Sequence, residues 1–149
     1  MMRSVVDWQP DQSTDETQAR QESRREVERI GVATVVEWER TRGRQATVLD
    51  SRLGYDIRSV RAGSPGSAAE TRLIEVKSLS GYWDGQWVRM TRNEYEVAQA
   101  EKGHYWLYVV ENCSAQPRVI SIRNPAGHVK EYLFDPGWAD LALPETAHG

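Results

Sequence analysis

Apolar and polar positions divide the chain into one long helical stretch followed by a run of short strands. From Ser13 to Arg42 there is no proline, and the only glycine is Gly31. At about 100° per residue, Val27, Val32, Val35 and Trp38 share one broad face. Glu28 and Glu39 fall on that same face, and Glu37 points away from it. The pattern predicts one long helix, or two broken near Gly31. Ser13 and Glu16 form a capping-box pair at its start, and Gly43 stops it. The first half, ETQARQESRRE, is almost wholly polar and is expected to be solvated or to pack on a partner. Residues 1–12 read as a flexible polar lead-in.

After Gly43 the period changes. ATVLD (46–50), GYDIRSV (54–60) and RLIEVKSL (72–79) read as three strands, the last two joined by the turn-rich RAGSPGSAAE. Such spacing predicts an antiparallel hairpin. SGYWDGQWVRM is irregular and aromatic, with room for a short strand at 87–90. Thr91 and Glu94 make a second capping box and open a helix through Lys102, with Gly103 as its stop. HYWLYVVEN is a continuous apolar run, as in a buried strand, and RVISIRN (118–124) alternates like another. Residues 125–149 carry three prolines and read mostly as loop. The order of helix, three strands, helix and two strands predicts an α/β or α+β domain around one mixed sheet. The boundaries drawn are a flexible or helical polar lead-in over 1–25, the domain over 26–135 and a tail over 136–149.

The composition narrows the classes. At 149 residues and 39% hydrophobic, the chain supports one modest core and not two. No apolar run approaches the ~20 residues of a membrane span. The opening MMRSVVDWQPDQ lacks the apolar region of a signal peptide, so the cytoplasm is the expected compartment and no membrane partner is expected. The single cysteine, Cys113, excludes an internal disulfide and a cysteine zinc site, and it reads as a small buried residue. A formal net charge of −3 argues against a non-specific, charge-driven nucleic-acid binder. It leaves open an enzyme that grips phosphate locally. No phosphate-binding glycine loop is present, and His104, His128 and His148 show no ligand spacing.

The informative strand is Leu73-Ile74-Glu75-Val76-Lys77. Alternation sends Ile74 and Val76 to one face and Glu75 and Lys77 to the other. If the strand of Asp56 pairs with it, Asp56 sits beside Glu75. Two carboxylates that close repel unless a cation lies between them, and oxygen ligands of this kind suit Mg²⁺ or Mn²⁺. A neighbouring lysine can position or deprotonate a water, or neutralise charge growing on a phosphate. Asp56, Glu75 and Lys77 thus have the parts for phosphodiester hydrolysis. Spacing alone favours a plainer reading, because Glu-x-Lys is common on strands and such pairs stabilise sheets modestly. Tyr82, Trp83 and Trp87, with Arg89 and Arg92, follow the strand. They could stack on bases and hold a nucleic-acid backbone, although packing at the core or its rim is the more ordinary role.

Six stretches shift that balance: VERIGVATVVEWERTRGR, GYDIRS, RLIEVKS, MTRNEYEVAQ, HYWLYVVENC and RVISIRNPAG, in that order, over roughly residues 24 to 130. Together they resemble the Mrr-like, restriction-endonuclease-fold domain named after the C-terminal region of the plant protein NO VEIN. Domains of that kind often accompany bacterial helicases and defence proteins. The resemblance implies a PD-(D/E)xK-type site with Asp56 as the metal-ligand aspartate, Glu75 as the second carboxylate and Lys77 as the catalytic lysine. It also implies a glutamate from the preceding helix, Glu28 first and Glu39 second. Tyr55 replaces the motif's proline, and Ser78 stands where many relatives have glycine.

The expectation is therefore a Mg²⁺- or Mn²⁺-dependent deoxyribonuclease of restriction or phage defence, with DNA as partner and a helicase as a further one. A homodimer is compatible with the chain. The alternative is a catalytically inactive module of the same fold that docks DNA or a helicase through residues 13–26. A third reading makes the carboxylates and Lys77 a purely structural ion-pair cluster.

Overall fold

The computed structural model describes residues 10–86 and 88–128. Helix α1 (Pro10–Thr41) is a single helix of 32 residues, about 48 Å long at 1.5 Å per residue. It starts three residues before the expected cap. Proline is tolerated at a first helical position, where its missing N–H has no helical partner, so Ser13 lies inside the helix and is not its cap. Expected lead-in residues 10–12 are likewise helical. Gly31 does not break the helix. A Cβ there would lie 1.8 Å from Ser78 Oγ and 2.8 Å from Ser78 Cβ, so the glycine lets the helix backbone approach the sheet. Gly43 follows the end, with φ +76° and its N–H bonded to Arg40 O.

The strands are β1 (Gln45–Val48), β2 (Ile57–Arg61), β3 (Glu70–Ser78), β4 (Tyr105–Glu111) and β5 (Arg118–Arg123). They form one five-stranded sheet in sequential order. β1, β2 and β3 are antiparallel, as the hairpin reading expected. β3 and β4 are parallel, and β4 and β5 antiparallel. The parallel step needs a crossover, which helix α2 (Arg92–Glu101) supplies. Thr91 and Glu94 close the predicted capping box at its start. The left-handed residue at its end is Lys102 (φ 51°), not Gly103. Gly103 instead sits against Arg123, whose Nη2 lies 3.1 Å from where a Cβ would be. Residues 88–90 form no strand, and Trp87 lies outside the described residues. So do residues 1–9 and 129–149, which include the expected tail.

Alternation gives the sheet two different faces. Toward α1 it turns Ile57, Ile74, Val76, Trp106, Tyr108 and Val110, packed against Val35 and its neighbours on the helix. The other face carries Leu107, Val109 and Ile122, covered by Leu79, Trp83, Val88 and Met90. Tyr105, Trp106, Tyr108 and Cys113 are buried, as the apolar run predicted. Tyr82 is 77% exposed and is not a core residue. Among the described residues, no helix is long and apolar enough to cross a membrane.

Candidate active site

The site forms where β3 outruns β2. Paired residues between these strands end at Ile57 and Ile74, so β3 continues through Val76, Lys77 and Ser78 without a strand on that side. The expected strand over 54–60 begins only at Ile57, because Gly54 takes φ +89° and turns the chain. Val97 Cγ2 of α2 would lie 2.6 Å from a Cβ at Gly54, and Tyr105 donates its hydroxyl to Gly54 O at 2.7 Å. That anchored turn delivers Asp56 to the open edge. Its N–H donates to Ile74 O, and its Oδ2 accepts the N–H of Val76 at 2.9 Å. The carboxylate thus takes the place of a missing strand partner. One further step of the register sets Asp56 opposite Glu75, on the face away from α1.

Glu75 is 4% exposed. Its Oε2 meets Lys77 Nζ at 3.2 Å, and its Oε1 is buried with no hydrogen-bond partner. Burial is the main reason its carboxyl is pushed up to about 8; Asp56 and Glu94 add to the rise and Lys77 opposes it. Burial also raises Asp56, against the pull of the Val76 N–H and the bond to Glu75. Burial works against charge on Lys77, but Glu75 and Glu94 outweigh it and hold the ammonium above the ordinary lysine range. The Tyr105 phenol beneath them is raised by burial and by the three carboxylates, and stays protonated.

The centre opens into a cavity of about 820 Å³. Its lining includes Glu28 and Val32 of α1, the centre's Asp56, Glu75 and Lys77, and Trp83 and Arg89. Glu28, the first-choice helix glutamate, therefore faces the same space. It does not close a ligand set: among the described residues, no three His, Cys, Asp or Glu side chains form a group that could hold a metal ion. Arg89 is exposed where it lines the cavity. Arg92 does not line the cavity and lies 3.8 Å from Glu96, one turn along α2. Trp83 packs on the second core and gives its N–H to Glu111 at 2.9 Å.

Glu39, the second-choice glutamate, is not part of this site. It is fully buried under the α1 face of the sheet, where Arg44 grips it at 2.6 and 2.8 Å. Ser59 Oγ and Tyr108 OH donate to it at 2.8 and 2.9 Å. Burial opposes its ionisation, but these donors hold its carboxyl below the usual range. Its sequence position on the apolar face was read correctly; the partners that satisfy it come from elsewhere in the chain.

Glu94, read from the sequence chiefly as a cap and only secondarily as a residue of the cleft, joins the site. Its Oε1 accepts from the Thr91 N–H at 3.0 Å, completing the cap, and from Lys77 Nζ at 2.9 Å. The capping pattern is a sufficient reason for Glu94, so the sequence alone ranks a place in the cleft second.

A helix-flanked mixed sheet with a carboxylate pair and a lysine at an unpaired strand edge defines an α/β domain with an acidic centre among its described residues. The chain belongs to the family described as Protein NO VEIN, C-terminal, whose model matches residues 27–122. That span holds every residue of the centre. No curated protein and no solved structure matches the chain.

Proposed function

We propose that this domain is a metal-dependent nuclease that hydrolyses DNA phosphodiester bonds at Asp56, Glu75 and Lys77. One observation carries the reading: Glu75 Oε1 is buried beside a second carboxylate, and no donor among the described residues reaches it. An orphaned carboxylate oxygen costs stability in a purely structural cluster, and a cation would remove that cost. Only two protein carboxylates converge, which fits Mg²⁺ or Mn²⁺, ions that commonly take one or two carboxylates and complete their shell with waters and phosphate oxygens. When bound, such an ion polarises a phosphate oxygen and lowers the pKa of a bound water.

The chain's own groups do the rest. Asp56 and Glu75 hold the cation side of the centre, with Asp56 fixed by the Val76 N–H. Lys77, kept as an ammonium, donates to charge growing on the phosphate. Glu28, which lines the same cavity, would orient a water. On the resemblance described above, the setting is restriction or phage defence beside a helicase.

The direct test compares wild type with Lys77→Ala and Asp56→Ala on DNA with Mg²⁺ or Mn²⁺. Loss of cleavage in both variants is expected, and equal cleavage by all three, or none with either metal, would refute the reading. A second reading, an inactive module that docks DNA or a helicase, has one observation in its favour. Residues 15–26 of α1 are all exposed. It requires that Asp56→Ala spare biological function while removal of residues 1–26 abolishes it.

A further inference from the structure

Lys77 has few reasons to stay where it is. Its flexible side chain is one-quarter exposed, and Glu75, one of its two ion-pair partners, is also the carboxylate that a cation would claim. The other partner is Glu94, 13% exposed at the first turn of α2. Glu94 Oε1 is itself immobilised, because the same atom accepts the Thr91 N–H that starts the helix. The Thr91 hydroxyl accepts from Glu94 N at 3.1 Å, a cap bond separate from the one that fixes Oε1. Farther along the turn, Asn93 Nδ2 donates to Arg52 O at 3.0 Å, tying α2 to the segment that precedes Asp56.

We propose that Glu94 is the positioning residue for Lys77: it holds the ammonium at the carboxylate pair when Glu75 turns to a cation. The inference rests on the nuclease reading and adds the group that keeps its lysine in place. A capping box needs only an acceptor at this position, and glutamine serves equally well. The charge of Glu94 adds only modestly to the cap through the helix dipole and is matched to Lys77, since charge-assisted bonds are about twice as strong as neutral ones.

The chain has three lysines, so the position of Lys77 can be read without catalysis. Brief acylation of the intact protein with acetic anhydride, followed by peptide mass spectrometry, gives its reactivity relative to the exposed Lys102. Glu94→Gln preserves the cap and removes the charge. It should raise the relative acylation of Lys77 by about tenfold or more, as expected for losing one charged hydrogen bond. It should also lower kcat on DNA by about tenfold with KM within about twofold. Thr91→Ala weakens the cap and should lower Tm while leaving both readings within about twofold of wild type.

The proposal is overturned if Glu94→Gln leaves Lys77 as protected as in wild type, if kcat is unchanged, or if Thr91→Ala reproduces both effects. Should the wild-type protein cut no DNA, the nuclease reading falls alone. The acylation ratio still decides: a freed Lys77 upholds the placement by Glu94, and a protected one refutes it.

Discussion

Glu75→Gln should make the metal-free protein more stable, and by an amount that depends on pH. Burial moves the Glu75 carboxyl from 4.5 to about 8 in the folded chain. A raised folded pKa means that the native state keeps a proton the unfolded chain has already released. Its contribution is present at low pH and is lost as pH rises from 4.5 toward 8. At about 1.4 kcal/mol per pK unit, this one group removes about 4 kcal/mol between about pH 5 and about pH 9. Glutamine keeps the shape, cannot ionise and escapes the loss. Asp56 is raised by burial too, but it titrates in both proteins and largely cancels in the difference. Urea unfolding in EDTA, at about pH 5 and about pH 9, should therefore show the gap between variant and wild type widening by about 4 kcal/mol in favour of the variant. Excess Mg²⁺ should narrow it, because binding to the native state stabilises only the protein that keeps the carboxylate. A gap that is the same at both pH values would mean that Glu75 ionises as an ordinary surface acid, and the strained-centre argument would fail.

Other substitutions test the frame around the centre. Gly31→Ala places a methyl 1.8 Å from Ser78 Oγ and should cost about 2–3 kcal/mol of overpacking; Ser78→Gly in the same chain should restore most of it, and simple additivity in urea melts would disprove the contact. Glu39→Ala strands the buried Arg44 and should cost about 3–5 kcal/mol by the same assay. Its response to Mg²⁺ should remain that of wild type. Tyr105→Phe removes the bond to Gly54 O and should cost about 1 kcal/mol. Because that bond anchors the turn carrying Asp56, isothermal titration should show weaker Mg²⁺ binding, and undiminished affinity would detach the turn from the site.

What could be read from residues alone was what local periodicity controls. Alternation along Leu73–Lys77 assigned Glu75 and Lys77 to one face and Ile74 to the other. The change of period after Gly43 separated the helix from the strands, and the Thr91–Glu94 pair marked the start of α2. The rest depends on pairings between distant residues. Gly31 looked like a weak point because only the approach of β3 shows what a side chain would strike. Asp56 was read inside a strand, although its usefulness comes from lying just before one, where a carboxylate can take the N–H of Val76. The Glu39 partners stand 5, 20 and 69 residues away, and no window along the chain joins them.

The contrast between Glu39 and Glu75 supplies the strongest physical ground for placing the chemistry. Both are buried carboxylates packed in the same sheet domain, on opposite faces, and each is ion-paired to a basic residue nearby in sequence. Glu39 receives four donors from three residues, and its carboxyl is pulled down despite complete burial. Glu75 has one oxygen on Lys77 and the other beyond the reach of any donor among the described residues, and its carboxyl is pushed up. A fold able to satisfy one buried glutamate so fully has no structural need to leave a second one half-satisfied beside Asp56. A deficit of that kind is stabilising only when something outside the chain completes it. The open cavity over Glu75, and the closed packing over Glu39, make the β3 edge the place to test for such a partner.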